Sequence, residues 1–232
     1  MNKTDLRETH RRDGFYWKGK TPYVSVTTVI KVLDKPSLRW WFGREVYRAV
    51  ILDPTMEEKE ALSAPYKKSK DAQNIGTTVH SIVENYTQYG RKIESFPDHI
   101  KKYAQAFYDF VDAFNPDIVE NELTVLSSKH RYAGTMDMVA TIDGQPYIID
   151  VKTGKGIYNE VELQLSAYNE ALVEQGKKPH KLAVLLLEKG DDGLPTGSYT
   201  FKTVKPRFKE FLACKTLWKW LNEEKIKKYG YK

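Results

Sequence analysis

The stretch GTMDMVATIDGQPYIIDVKTGKG, Gly134–Gly156, sets two apolar runs on either side of Asp143-Gly144. Asp-Gly is a strong hairpin signal because a type I′ turn needs positive φ at both central positions. With a two-residue loop Ile142 pairs with Gln145, and the same register carried inward sets Asp137 directly opposite Asp150. Opposed side chains share a face with Cβ atoms about 4.5–5.5 Å apart, where like charges repel. Lys152, two residues beyond Asp150, points to that face too. The neighbours Met138, Val139, Ile148, Ile149 and Val151 are apolar, so free solvation of the carboxylates is not expected. Burying unpaired carboxylates is costly unless they are protonated, matched by a base or bound to a cation. A hard divalent cation held by oxygen ligands answers the arrangement, and so does a plain salt bridge through Lys152. A three-residue loop would instead slip the register by one and set Val151 opposite Asp137.

Working outward, three strand-like runs, Ile118 to Leu126, Tyr132 to Ile142 and Tyr147 to Lys152, follow a helix stopped at Asn115-Pro116. Before that helix, residues 73–89 carry Ile75, Val79, Ile82, Val83 and Tyr86 at helical spacing. A helix from Glu160 to Glu174, capped near Gly176, leads to the apolar run Lys181 to Leu187, expected as a central strand. A last strand is expected at Tyr199 to Thr203 and a C-terminal helix from Pro206. The order helix, three strands, helix, strand implies an α/β fold with a mixed sheet between helices. Residues 1–72 read as an N-terminal helical extension and 73–232 as the core. SVTTVIKVLDKP and SLRWWFGREVYRAVIL suggest two helices, and DPTMEEKEALSAPYKKSKDA, broken by Pro54 and Pro65, a mobile connection.

The 232 residues are enough for one large domain with a true core. Lys and Arg number 37 against 31 Asp and Glu, a diffuse excess of +6 that permits a polyanion partner without demanding one. The single cysteine, Cys214, excludes a disulfide framework and any four-cysteine metal site. No run approaches the roughly 18 apolar residues of a membrane span, and MNKTDLRETHRRDG has no signal-peptide character, so a soluble cytoplasmic protein without membrane partners is expected.

GTMD, then IIDVKTG with its aspartate thirteen residues on, then QLSAY, with GTTVH (Gly76–His80) upstream, resemble the PD-(D/E)XK nuclease superfamily, in particular its RecB-like exonuclease branch. The likeness extends to phage exonucleases and the mitochondrial genome maintenance exonuclease through the N-terminal SVTT and its helix. It covers residues 73–190 and, loosely, the first fifty. The resemblance implies a restriction-endonuclease-like αβββαβ core. It also implies that Asp137, Asp150 and the main-chain carbonyl of Val151 hold Mg2+ or Mn2+, with His80 as a further ligand and Glu122 as an auxiliary one. Lys152 would orient or deprotonate the attacking water and offset transition-state charge. Gln164 and Tyr168, one helical turn apart, would position water, lysine or the nucleic-acid backbone, although without the resemblance helix packing for Tyr168 and a solvated amide for Gln164 are the favoured account. Without the motif around it, His80 reads as a boundary histidine. His10, His99, His130 and His180 read as surface residues. Two departures are Met136 in the proline position and Asp150 for the commoner glutamate. The relatives with an iron-sulfur cluster supply four cysteines, so that cofactor is not expected.

The implied activity is metal-dependent hydrolysis of DNA phosphodiesters, as an exonuclease on single strands or ends in replication, recombination or repair. Phage origin in a bacterial host and replication or recombination partners fit the same likeness. An endonuclease of this fold and a non-catalytic nucleic-acid-binding module are the alternatives. Basic residues interleaved with aromatics, Lys35, Arg39, Trp40, Trp41 and Arg44, and then Lys67, Lys68 and Lys70, suit a single strand, as do Lys225, Lys227 and Lys228. A solvated charged surface is the plainer account of the lysine runs. Trp40 and Trp41 cannot share one helix face, so one is expected in the core.

Overall fold

The computed structural model describes residues 10–93 and 95–231. Strands β1 (His10–Arg12), β2 (Phe15–Lys18) and β3 (Thr21–Ser25) lead into a short helix α1 (Val26–Val29) and a 3-10 turn. The helices α2 (Pro36–Leu52), α3 (Glu58–Tyr89) and α4 (Asp98–Phe114) follow. The core continues as β4 (Asp117–Ser127), β5 (Tyr132–Ile142), β6 (Gln145–Gly154), α5 (Glu160–Glu174), β7 (Lys181–Lys189), β8 (Pro195–Val204), α6 (Phe208–Leu221) and α7 (Glu223–Tyr229). The expected helix, three strands, helix, strand order is present from α4 to β7.

All eight described strands form one mixed sheet in the order β1-β2-β3-β5-β6-β7-β8, with β4 on the other edge of β5. The β5–β6 turn is as expected: Asp143 and Gly144 both have positive φ (49° and 71°), and Ile142 pairs with Gln145. β7 is buried on both faces, Leu182 and Val184 toward one layer and Ala183, Leu185 and Leu187 toward the other, but it lies one strand in from the edge rather than at the centre.

Two cores sandwich the sheet. Helices α5, α6 and α1 cover one face through Leu165, Tyr168, Phe211 and Val29. The C-terminal half of α3 and α4 cover the other through Val79, Val83, Phe107 and Phe110. Among the described residues, no helix is long and apolar enough to cross a membrane.

The N-terminal region departs from the helical expectation. Residues 10–25 are strands that extend the core sheet, β3 running parallel to β5 with Val24 beside Tyr132 and Ser25 beside Ala133. Short strands with Gly14 and Gly19 in positive-φ turns carry too few residues for an alternating pattern to register. The expected mobile connection is helix: α3 starts at Glu58 and runs through Pro65, which is buried. Residues 1–9, including most of the stretch read for a signal peptide, and the side chain of His10 lie outside the described residues.

Candidate active site

β5 has two edges. One pairs with β4 over nearly its full length. The other pairs with β6 only from Ile142 back to Met138, opposite Ile149, and with β3 only at Tyr132 and Ala133. Residues 134–137 therefore have no strand on that edge, and the sheet forks there. Asp137 lies at the fork and its carboxylate replaces a ladder partner: Val151 N–H donates to Asp137 Oδ2 at 2.7 Å. The side chains of β5 also change face here, since Tyr132 and Met136 belong to the α5 core while Met138, Ala140 and Ile142 belong to the α3–α4 core.

On the α5 side, Asp150 is 2% exposed and follows Ile148 of that core. Gln164 Nε2 donates to Asp150 Oδ1 at 2.8 Å and to the Tyr168 hydroxyl at 3.2 Å. The Tyr168 ring presses against the bare backbone of the fork, where a Cβ on Gly134 would fall 2.3 Å from Tyr168 Cε1. Lys152 Nζ lies 2.6 Å from Asp150 Oδ2, yet off the direction of a hydrogen bond, so that buried oxygen makes none.

On the α3 side, His80 Nδ1 is 3.5 Å from Asp137 Oδ1 and 3.9 Å from Glu122 Oε1. Glu122 reaches them from a left-handed backbone, φ 45°, between the pairs Asn121–Met138 and Leu123–Met136. Ligand atoms of His80, Glu122 and Asp137 all lie within 4.8 Å of one another.

Electrostatics bind the two sides together. Burial, and then repulsion from Asp150, pushes the Asp137 carboxyl up to about 6. Burial works against the His80 imidazolium, but the neighbouring Glu122 and Asp137 carboxylates outweigh it and raise the pKa. Lys152 is raised likewise, Asp150 and Asp137 overcoming the cost of burial, so its ammonium is held charged. A carboxylate pushed up, a buried carboxylate oxygen without a hydrogen bond and an adjacent imidazole form a hard N/O donor set with excess negative charge. That set fits a divalent cation.

The ladder stops one pair short of Asp137–Asp150. Asp150 and Lys152 share a face as expected, whereas Asp137 faces α3, and its influence on Asp150 passes through the fork. The three-ligand cluster accordingly comprises His80, Glu122 and Asp137, with Asp150 beside it and tied to Lys152 and Gln164. Val151 enters through its N–H. Glu84, on the His80 flank, is exposed.

The basic and aromatic candidates lie on α2 and the start of α3. Trp40 is 83% exposed, while Trp41 packs edge-on against Phe42, and Phe42 against Tyr66. Several cations are already paired: Lys35 with Glu160 at 2.6 Å, Arg39 with Asp34 at 2.5 Å, Lys67 with Glu60 at 3.6 Å, and Lys68 and, at 3.9 Å, Arg44 with Glu45. Lys70 is exposed. His99 is exposed, but His130 and His180 are half-buried, His130 against Phe208. Sequence reasoning missed Glu160, whose charge also acts on Lys152, and the structural demand at Gly134. Glu160 is a first-turn acid of α5, a position that carries no signal of its own.

No protein-family model and no curated protein matches the sequence. Solved structures do resemble it. A protein of Eubacterium rectale described as a candidate exonuclease is 12% identical, covers 89% of this chain and 80% of its own, and has a TM-score of 0.48. A second structure, known by a locus name only, is 13% identical, covers 94% and 83%, and has a TM-score of 0.43. An alkaline exonuclease of Laribacter hongkongensis is 8% identical, covers 82% and 98%, and has a TM-score of 0.33. Likeness at this level says nothing of function, which has to come from the residues.

Proposed function

We propose that the protein is a metal-dependent nuclease that hydrolyses DNA phosphodiesters, as an exonuclease on single strands or ends. One observation carries this reading: a sheet fork gathers a buried aspartate, Asp150, a partly buried one, Asp137, a charged lysine and a histidine–glutamate pair at one spot. His80, Asp137, Asp150, the Val151 carbonyl and, secondarily, Glu122 would hold Mg2+ or Mn2+. When bound, the cation would polarise the scissile phosphate and acidify water.

The chain's own residues do the rest. Lys152, kept protonated by its carboxylate neighbours, serves as a cation that orients water and offsets charge developing on the phosphate, rather than as a base in this state. Gln164 fixes Asp150 through one amide hydrogen and Tyr168 through the other. Tyr168 is raised well above the ordinary phenol range by burial and by Asp150 and Asp137, so it keeps its proton. Trp40 on α2, with Arg39 and Arg44 near it in the chain, offers a stacking surface for a single strand, to which the exposed Lys70 of α3 would add charge. Replication or recombination proteins, in a phage-infected or other cytoplasm, would supply such strands.

End-labelled linear and covalently closed circular single-stranded DNA, with Mg2+, Mn2+ or EDTA, test the reading. Linear DNA is expected to be degraded with metal only, and Asp150→Ala and Asp137→Ala are expected to be inactive. Cutting of the circle would make the enzyme an endonuclease. Equal degradation by wild type and both variants would remove the catalytic reading, and DNA binding without cleavage would favour a non-catalytic module.

A further inference from the structure

The sheet face that carries Asp137 and Glu122 continues past the site. Thr135 lies two residues before Asp137 on β5 and Thr124 two residues after Glu122 on β4, directly opposite one another, so their side chains share that face, and their hydroxyls hydrogen-bond at 3.0 Å. Thr135 in turn bonds the Tyr16 hydroxyl of β2 at 3.1 Å. Arg11, directly opposite Tyr16 in the β1–β2 ladder, stacks its guanidinium over that ring at 5.7 Å. The row from Asp137 outward thus reads carboxylate, two threonine hydroxyls, tyrosine hydroxyl, arginine.

This wing of the sheet is covered unequally. Its other face is closed by Trp218, Tyr229 and Tyr231 of the C-terminal segment against Phe15. On the Arg11 face the apolar cluster is Tyr16, Tyr23, Leu126 and Ala133, all from strands or their rims, with no helical residue among them. Arg11 is exposed and donates to the Thr27 hydroxyl at 3.0 Å. Among the described residues it has no carboxylate partner. A second cation, Arg131, lies over the Tyr23 ring at 5.0 Å on the same wing.

Resting on the nuclease reading above, we infer that this face is the subsite for the phosphodiester backbone of a single strand next to the scissile bond. The three hydroxyls spend two hydrogens on their mutual bonds, which leaves one to donate to the phosphate oxygen nearest the site, and Arg11 would meet a phosphate farther out. Hydroxyls and guanidinium groups are standard phosphate donors and read no base, which suits a degradative enzyme. The occupant is a polynucleotide strand because the row begins at the candidate reaction centre and ends in a guanidinium that, among the described residues, has no carboxylate partner.

The test is binding rather than cleavage: anisotropy of a fluorescein-labelled oligothymidylate over a range of salt, in EDTA. Arg11→Ala is expected to weaken binding roughly tenfold, and to lower the slope of log affinity against log salt by about 0.7, one phosphate's worth on a single strand. Thr135→Val is expected to weaken binding about threefold, the scale of one lost neutral hydrogen bond, with the slope unchanged. Thr135→Ser, which keeps the hydroxyl, is expected to bind as wild type and guards against a folding artefact. Wild-type affinity and slope in both Arg11→Ala and Thr135→Val would overturn the subsite while leaving metal-dependent cleavage intact. A wild-type protein that binds no oligonucleotide and cuts none would overturn the subsite together with the reading beneath it.

Discussion

Gly134 lacks a side chain for a reason that can be measured. Tyr168 occupies the space a Cβ would need, and Tyr168 holds the Gln164 amide that holds Asp150. Gly134→Ala is expected to cost about 1–3 kcal/mol, as overpacking does, and to lower activity more than stability alone would explain. Thermal denaturation alongside cleavage rates checks this. Tyr168→Phe, which keeps the ring but drops the hydroxyl, should leave stability nearly intact and give a smaller loss of rate.

Asp137 makes a prediction with a definite sign. Its folded pKa, about 6, lies above its ordinary value of 3.8. Stability from this group is therefore present below pH 4 and lost as pH rises through 6. In EDTA the wild type should melt lower at pH 7 than at pH 5 relative to Asp137→Asn, which cannot titrate there. The difference between the two proteins isolates the group, and identical pH profiles would contradict the assigned burial. Mg2+ or Mn2+ should remove the penalty and stabilise the wild type, by about 2.7 kcal/mol at a hundred times Kd, which raises its melting temperature but not that of Asp137→Ala.

Among elements, α2 is unusual. Its buried residue is a carboxylate, Glu45, while Trp40, Tyr47, Ile51 and Leu52 are exposed. Glu45 is tied to Lys68 on α3 and to Arg48, whose Nη1 lies 3.0 Å away, and the Lys68 hydrogen bond leads the effects that lower its pKa. Its contribution is thus present above the ordinary value of 4.5 and lost as pH falls through the lowered folded one. Glu45→Ala is expected to loosen the α2–α3 pair by about 1 kcal/mol at neutral pH, because the link to Lys68 is lost while Lys68 and Arg48, both more than half exposed, turn to water. Hydrogen exchange should show faster amides in residues 36–52 and unchanged ones in β5 and β6. The Lys35–Glu160 pair, which joins the start of α2 to the start of α5, contributes less, since both partners are partly solvated.

At the scale of the whole molecule, the site exists because the sheet changes partners. β5 leaves β6 at Met138 and meets β3 at Ala133, and the interval opens a passage between the two faces. Groups anchored in opposite cores, Asp150 with α5 and His80 with α3, act on one another across it. The element order, the Asp143-Gly144 turn and the burial of Asp150 were legible in the chain, because turn chemistry and apolar periodicity are local, whereas His80, Glu122, Gln164 and Tyr168 came forward only through the resemblance of their motifs. Those signals say nothing about where a ladder stops. The three N-terminal strands, the continuous α3 and the face change at Asp137 were decided by tertiary structure. Each depends on partners distant in the chain, β3 finding β5 across more than a hundred residues, and the energy that selects such pairings comes from burial rather than from the paired segment's own composition.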